Sequence, residues 1–290
     1  MSPAEKNNLS GLTFLSTRPQ HQAKQLSTLL ASRGASVIEF PTLEIVPVSK
    51  AEQEQFVEAL VRLEPEDWVF FTSSNGVEQV MLALSEYSPQ VVECLQQARI
   101  AVIGEATKEA LEKHGLRAAF CSETANSEAL GKEFLELIQQ ESRGGDERRM
   151  ALLLRARTGS SALPLLLEEA EFQVIARTVY DSVLPKVDER KLQHVVGMLV
   201  SRSIAGIVFT SSETAKNFVS LLENYSTVLA AGWRHELVEI PVFVIGPRTS
   251  ETVEGLGFRH VFAPPQARIE SLVETISGYS FQKSASIGEQ

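Results

Sequence analysis

The chain has 290 residues, of which 43% are hydrophobic and 22% charged, and its formal net charge is −10. This length predicts two domains of average size, and the composition is that of a soluble globular protein. The negative charge argues against non-specific binding to nucleic acid or to anionic membranes, since both need clustered lysines and arginines.

The cysteine and histidine positions predict no metal site. Cys94 and Cys121 form neither a metal-binding spacing nor a disulfide framework, and the five histidines show no such spacing either. No apolar run approaches the length of a membrane span, and residues 1–10 lack the apolar core of a signal peptide. We therefore expect a cytoplasmic protein.

Short apolar runs alternate along the chain with segments of helical spacing. Strands are predicted at residues 12–17, 37–40, 68–71, 99–104, 118–121, 150–154, 204–209, 242–246 and 261–262. Helices are predicted at residues 22–32, 52–63, 76–84, 105–114, 127–138, 163–170, 189–200, 250–255 and 269–277, and one more follows residue 212 and ends at 222. This alternation predicts an α/β fold with parallel sheets and right-handed crossovers.

Two extended stretches interrupt the alternation. Residues 41–47 contain two prolines, which forbid a place in the centre of a sheet, and residues 172–183 stay extended up to Leu184-Pro185. We interpret residues 41–47 and 176–183 as the two strands of a linker between the domains.

One short motif occurs twice: an apolar run that ends in Thr-Ser-Ser and precedes a helix. The first copy ends at Ser73-Ser74 and the second, Thr210-Ser211-Ser212, lies 138 residues later. In open α/β sheets, ligands bind at the carboxyl ends of strands, where the first N–H groups of the next helix favour anions. Helix capping alone is the alternative explanation of either copy. The repetition favours a binding site that is built twice.

The motif belongs to a longer internal repeat. Arg18 and Arg155 each follow a strand and lie 137 residues apart, and the strand-Gly-x-x-Thr turns at Gly104 and Gly246 lie 142 apart. We label as A the segment around each arginine (residues 15–38, and 152–175 as A′), as B the Thr-Ser-Ser motif and as C the glycine turn. The chain thus runs A-B-C and then A′-B′-C′, which predicts two similar α/β domains. If the linker strands pair, A joins B′-C′ in one domain and B-C joins A′ in the other.

The predicted domain boundaries follow from this exchange, and the first domain is discontinuous. Domain 1 comprises residues 9–42 and 184–280, domain 2 comprises 48–176, the linker strands are 41–47 and 176–183, and residues 1–8 and 281–290 are predicted to be disordered.

These repeated turns, together with Val179-Tyr180 on the second extended stretch, resemble the uroporphyrinogen-III synthase family over residues 12–278. The resemblance implies two flavodoxin-like parallel-sheet domains joined by a two-stranded linker, with a cleft between them. It implies a monomeric lyase of tetrapyrrole biosynthesis that closes hydroxymethylbilane to uroporphyrinogen III and inverts ring D. It further implies no metal or organic cofactor and no nucleic-acid or membrane partner, and it leaves open a transient contact with the preceding enzyme of the pathway.

The resemblance also implies roles for individual residues. Tyr180 matches the tyrosine proposed in the family to assist loss of the substrate hydroxyl, and packing on the extended strand is the alternative. The residues that match cleft-lining hydroxyls and strand-end glycines are Ser73, Thr107, Ser211, Thr249, Gly104 and Gly246. The two motifs add Ser74, Thr210 and Ser212 as substrate-binding candidates.

The substrate of this family carries eight carboxylates, so arginines at strand ends are further candidates. We select Arg18, Arg155 and Arg248 from the four arginines at predicted strand ends, the fourth being Arg157. A solvated surface position is the alternative for each of them. At Arg248 the sequence departs from the family, whose members often have a small or hydroxyl residue there.

Two other classes of protein fit part of the pattern. A phosphotransfer receiver needs an aspartate at the end of a core strand, and no aspartate of this chain follows a predicted core strand. A two-domain protein that binds a small polycarboxylate without catalysis would share the predicted cleft, and turnover of hydroxymethylbilane separates it from the synthase. A nucleotide-dependent enzyme is disfavoured because the chain lacks both glycine-rich phosphate-binding motifs.

Overall fold

The computed structural model of the chain describes residues 8–124, 126–141, 149–225 and 232–281. The predicted disorder at both ends lies outside these residues, except at Asn8 and Phe281. The Asn8 side chain donates to the Ser277 carbonyl at 2.6 Å, and the Phe281 ring packs edge-on against Phe14 with centroids 5.5 Å apart. None of the helices within the described ranges is long and apolar enough to cross a membrane.

The described residues form eleven strands and twelve helices. The strands are β1 (Thr13–Ser16), β2 (Ser36–Glu39), β3 (Glu44–Pro47), β4 (Trp68–Phe71), β5 (Arg99–Ile103), β6 (Phe120–Ser122), β7 (Met150–Ala156), β8 (Gln173–Val183), β9 (Gly206–Phe209), β10 (Val242–Val244) and β11 (Val261–Phe262). The helices are α1 (Gln20–Ala31), α2 (Lys50–Val61), α3 (Ser74–Leu84), α4 (Pro89–Gln97), α5 (Gly104–Lys113), α6 (Ser127–Glu141), α7 (Ala162–Glu169), α8 (Glu189–Val200), α9 (Ser212–Asn224), α10 (Trp233–Glu239), α11 (Pro247–Gly255) and α12 (Ile269–Gly278).

Contacts between the described residues divide the chain into two compact units. Unit 1 is Met1–Glu44 with Val183–Gln290, and unit 2 is Ile45–Ser182. Unit 1 holds a five-stranded parallel sheet of order β11-β10-β9-β1-β2. The second sheet has six strands in the order β3-β8-β7-β4-β5-β6, and its pairs β8–β7, β7–β4, β4–β5 and β5–β6 are parallel.

Both sheets have the flavodoxin-like strand order. Numbering the strands of unit 1 along the chain gives the order 2-1-3-4-5. Unit 2 gives the same order when β7 and β8 are counted before β4, β5 and β6. The first A segment therefore shares a sheet with B′ and C′, and A′ shares a sheet with B and C. The fold is α/β with two flavodoxin-like domains.

The central strands β4 and β9 are apolar throughout because helices cover both faces of their sheets. Alternate residues of a strand point to opposite faces, and in β9 the side chains of Ile207 and Phe209 lie in one hydrophobic cluster while Val208 lies in another. The same division separates Val69 and Phe71 from Trp68 and Phe70 in β4. Each unit thus has a core on either side of its own sheet.

The second extended stretch is extended, as predicted, and forms the single 11-residue strand β8. Two other features of the fold differ from the sequence-based expectation. Arg155 lies within β7, not in a loop, and a register shift occurs between Arg155 and Ala156. Two helices were not predicted, α4 and α10, each of which is short and buries only one or two side chains.

Candidate functional site

Each sheet has one point at which the strand order reverses, and the repeated motifs lie there. In unit 1 this point lies between β1 and β9, and in unit 2 between β7 and β4. Arg18 follows β1 beside Thr210 and Ser211, which follow β9. Arg155 near the end of β7 lies beside the end of β4, which Ser73 follows. In each unit the structure brings one predicted arginine and one Thr-Ser-Ser motif to the same edge of the sheet.

The central serine of both motifs caps the following helix. Ser73 Oγ accepts from Gly76 N at 3.1 Å at the start of α3, and Ser211 Oγ accepts from Thr214 N at 3.2 Å at the start of α9. Both serines therefore act as helix caps, whatever else they bind. Capping leaves the hydroxyl hydrogen of each serine available for a second partner, because the oxygen acts as the acceptor in the cap.

That second partner differs between the units. Ser73 Oγ lies 2.8 Å from the Tyr180 hydroxyl, and either oxygen could be the donor. Ser211 Oγ instead donates to Thr214 Oγ1 at 3.3 Å, within its own helical turn. Of these two capping serines, only Ser73 in unit 2 is hydrogen-bonded to a phenol.

Tyr180 is held in place by the sheet. It lies on β8 opposite Ala156, directly after the register shift in β7, and its carbonyl accepts from Arg157 N at 3.2 Å. The residue is only 6% exposed. The register shift changes which residue of β8 faces the end of β7, and the tyrosine hydroxyl reaches the serine that follows β4.

The two strand-Gly-x-x-Thr turns begin helices that lack a side-chain cap. No side chain of the described residues caps α5 at Ile103 or α11 at Gly246. Thr107 and Thr249, predicted as ligand-lining hydroxyls, are 3% and 5% exposed. The first turn of α5 presents backbone N–H groups, which favour anions. Helix α11 offers fewer, because Pro247 has no N–H and the N–H groups of Thr249 and Ser250 already donate to the Gly246 carbonyl.

The two glycines that begin these turns differ in conformation. Gly104 has φ +68°, a left-handed conformation that residues with a side chain rarely adopt. Gly246 has φ 179°, which is ordinary extended backbone. Only the turn in unit 2 requires its glycine on conformational grounds.

The second motif is also linked to the second glycine turn. Ser212 Oγ donates to the Arg248 carbonyl at 3.2 Å, and Thr252 Oγ1 donates to Ser212 Oγ at 2.9 Å. The Arg248 side chain itself is exposed. Ser74, the first residue of α3, and Thr210, which follows β9, are both half-buried.

The predicted arginines have different environments. Arg18 Nη2 donates to Gln22 Oε1 at 3.2 Å, while its Nε and Nη1 are buried without a hydrogen-bond partner in the described part of the chain. Burial lowers the pKa of Arg18 to about 10. Arg155 Nη1 donates to the Ser160 carbonyl at 2.8 Å, and burial lowers the pKa of this residue as well. Both arginines have N–H groups that can donate hydrogen bonds to a substrate carboxylate.

Arg157 is already paired with two carboxylates. Its Nε donates to Asp181 Oδ1 at 2.8 Å and its Nη2 to Glu52 Oε1 at 2.7 Å. Hydrogen bonds from Ser49 and Arg157 lower the pKa of Glu52 to about 2. Arg157 therefore ties helix α2 to the end of β8.

One further residue of the site was not predicted. Thr42 lies 138 residues before Tyr180, the same spacing that separates Ser73 from Ser211. Its Oγ1 donates to the Thr214 carbonyl at 2.9 Å and its carbonyl accepts from Asn217. The equal spacing was the signal that could have identified it as the counterpart of the tyrosine.

Comparison with known proteins identifies the family. The family model described as "Uroporphyrinogen-III synthase HemD" matches residues 24–274, nearly the whole chain. The chain belongs to the uroporphyrinogen-III synthase family. Its enzyme class is accordingly that of a lyase, and its pathway is porphyrin biosynthesis.

Relatives in this family match over almost their full length. The uroporphyrinogen-III synthase of Chlorobaculum parvum is 28% identical over 271 residues, which cover 93% of this chain and 96% of that protein. The uroporphyrinogen-III synthase of Synechococcus elongatus is 28% identical over 277 residues, covering 94% and 97%.

Solved structures of the family share the fold. The synthase of Thermus thermophilus, in a mutant crystal form, matches with a TM-score of 0.61 and 16% identity, covering 91% of this chain and 97% of that one. The synthase of Helicobacter pylori matches with a TM-score of 0.54 and 18% identity over the same shares. The prediction of two flavodoxin-like domains is thereby confirmed.

Proposed function

We propose that the protein closes hydroxymethylbilane to uroporphyrinogen III with inversion of ring D, and that Tyr180 donates a hydrogen bond to the leaving hydroxyl. The observation that carries the role of Tyr180 is its 2.8 Å hydrogen bond to Ser73 at the strand-order reversal of unit 2. A buried phenol at the carboxyl ends of parallel strands is held where ligands of this fold class bind.

The first step of the proposed reaction needs a hydrogen-bond donor at the leaving hydroxyl. The reaction starts when the substrate hydroxyl leaves as water, which requires one proton on the departing oxygen. A phenol is a weak acid at its ordinary pKa but a good hydrogen-bond donor, so it assists this step without being indispensable. As implied by the family, the substituted carbon of the last ring then attacks the azafulvene that remains, and a spiro intermediate forms.

The substrate carboxylates are bound by neutral donors and a few cations. The uncapped first turn of α5 offers backbone N–H groups, and Arg155 and Arg248 offer guanidinium groups at strand ends. Arg18 would gain acceptors for its buried N–H groups by turning toward a carboxylate. The proposed substrate-binding residues are Arg18, Ser73, Ser74, Gly104, Thr107, Arg155, Thr210, Ser211, Ser212, Gly246, Arg248 and Thr249.

The proposal includes the localisation, the oligomeric state and a partner of the enzyme. The composition supports a cytoplasmic protein, and the family supports a monomer that exchanges a linear tetrapyrrole with the preceding enzyme of the pathway. A transient contact with that enzyme would limit the time for which the reactive substrate is free in solution.

The decisive experiment is turnover. Hydroxymethylbilane is generated enzymically in the presence of the protein, the reaction is stopped early, and the type I and type III isomers are separated. We expect the type III isomer to dominate. A mixture identical to the protein-free control, in which unassisted closure gives the type I isomer, would leave only binding without catalysis and would overturn the proposal.

A further inference from the structure

The hydrogen bond between Ser73 and Tyr180 has two possible directions with different consequences. If the phenol donates to Ser73 Oγ, its only proton points into the protein. If Ser73 donates, the phenol oxygen is the acceptor and its proton can point toward another group. The 2.8 Å distance alone does not distinguish the two.

The surroundings of Ser73 favour the second direction. Ser73 Oγ already accepts from Gly76 N at 3.1 Å, at the N-terminus of helix α3. An oxygen that accepts a hydrogen bond becomes a better donor through its own O–H, because consecutive hydrogen bonds polarise one another. The partial positive charge of the helix N-terminus acts in the same sense. The chain of donation then runs from Gly76 N–H to Ser73 Oγ–H and on to the oxygen of Tyr180.

Capping does not explain why the serine contacts a tyrosine. Ser211 caps helix α9 in the same manner, and it directs its hydroxyl to Thr214 Oγ1 in its own turn at 3.3 Å. The β8 strand places Tyr180 next to Ser73 through the register shift at Arg155 and Ala156. The contact is therefore specific to unit 2.

We infer that Ser73 is a positioning residue for the reaction: its hydroxyl donates to the Tyr180 oxygen and directs the phenol proton toward the leaving group of the substrate. The inference rests on the proposed function. It gives Ser73 a role through Tyr180 that differs from direct contact with a substrate carboxylate.

The proton balance closes without another reactant. Tyr180 gives its proton to the leaving hydroxyl, the C–O bond breaks with its electron pair, and water departs. The Ser73 O–H stabilises the phenolate that is left. The substituted carbon of the last ring attacks the cation and forms the spiro intermediate, and it releases no proton because it carries no hydrogen. Its original bond to the bridge methylene then breaks, the unsubstituted α-carbon of the same ring forms the final bond to that methylene, and the proton that this carbon loses restores the phenol. The net change is the loss of one water molecule.

The test is a double-mutant cycle with kcat and KM measured on enzymically generated hydroxymethylbilane. Ser73→Ala is expected to lower kcat about tenfold, with KM changed by less than about twofold. In the Tyr180→Phe background the same substitution is expected to have no further effect on kcat, since it acts through the missing hydroxyl. Ser73→Thr, which keeps a hydroxyl and a cap, is expected to restore most of the wild-type kcat.

A matched control separates this role from the loss of a helix cap. Ser49 caps helix α2 of the same unit, with its Oγ accepting from Glu52 N at 3.4 Å. Ser49→Ala should lower Tm by an amount similar to Ser73→Ala and leave kcat unchanged. Equal kcat values for Ser73→Ala and wild type would overturn the inference.

The remaining outcomes are equally decisive. An additive loss in the Tyr180→Phe background, or a loss confined to KM, would overturn the inference and make Ser73 a direct ligand of the substrate. Absence of turnover by the wild-type protein would overturn the proposed function itself, so the two failures are distinguishable.

Discussion

The two strand-order reversals of this protein derive from the same repeat, yet they are completed by different residues. In unit 1, Thr42 is fully buried and its hydroxyl donates to the Thr214 carbonyl at 2.9 Å. In unit 2, Tyr180 occupies the equivalent place and its hydroxyl pairs with that of Ser73 at 2.8 Å. Both side chains reach the first turn of the helix that follows the Thr-Ser-Ser motif.

The difference lies in what the hydroxyl can still do. A threonine that donates to a backbone carbonyl has used its only proton, and its contact is purely structural. Two paired hydroxyls carry two protons, and only one of them lies between the two oxygens. Of the two described copies, the one in unit 2 therefore holds the phenol to which we assign the assistance of the leaving hydroxyl.

The largest expected effect is the loss of that group. Tyr180→Phe should lower kcat about 100-fold, the lower end of the usual contribution of a positioned acid, while substrate binding persists. Measurement of kcat and KM with early quenching and isomer separation tests it. A wild-type rate and product for this variant would remove Tyr180 from the mechanism.

The two turn glycines provide the next contrast. Gly104→Ala should lower the free energy of unfolding by about 1–2 kcal/mol, because φ +68° places Cβ against the carbonyl oxygen. Gly246→Ala should change it by less than about 0.5 kcal/mol, since its backbone is extended and a Cβ would lie 3.6 Å from Ala267 Cβ, an ordinary contact. Denaturant unfolding of the two variants measures both values. Equal losses would contradict the conformational difference.

Thr42→Val tests the structural half of the comparison. Loss of the buried hydrogen bond to the Thr214 carbonyl should lower the free energy of unfolding by about 1 kcal/mol. Because this hydroxyl takes no part in the reaction, kcat should stay within about twofold of wild type. A large fall in kcat at unchanged stability would show that the Thr42 hydroxyl of unit 1 also takes part in the reaction.

The smallest effect concerns the ion cluster that ties helix α2 to the tyrosine-bearing strand. The pKa of Glu52 is lowered from 4.5 to about 2, so its ionised form is stabilising above pH 4.5 and this contribution is lost as the pH falls toward 2. Glu52→Gln should therefore show a shallower loss of Tm between pH 5 and pH 2 than wild type. The exposed Glu54 on the same helix supplies the control, since Glu54→Gln should run parallel to wild type. Parallel curves for Glu52→Gln would show that the cluster does not contribute.

Much of the fold was predictable because the chain repeats itself. The buried strands of both sheets are uninterrupted apolar runs, and the equal spacing of their glycine and serine turns predicts the exchange of A segments between sheets. Helix α10 was missed because its seven residues bury only Leu237, too little for a periodic signal. Helix α4 does carry a start signal, Ser88-Pro89, before its buried Val91 and Leu95.

The site was predictable as a set of residues but not as a set of contacts. The strand-end positions of Ser73, Ser211, Arg18 and Arg155 follow from the motifs. The pairing of Ser73 with Tyr180 joins residues 107 positions apart and depends on a register shift between β7 and β8, where β8 has one extra residue, Val179, that no local pattern marks. The burial of Thr107 and Thr249 likewise depends on how their helices pack on the sheet.

The most direct test of the central claim is the ratio of two kcat losses, one for each copy of the repeat, measured in the same assay with isomer separation. Deleting one hydroxyl in each unit, by Tyr180→Phe and by Thr42→Val, should give losses that differ by a factor of about 100, with the larger loss in unit 2. A ratio of about one would contradict the assignment of the chemistry to the Ser73–Tyr180 pair.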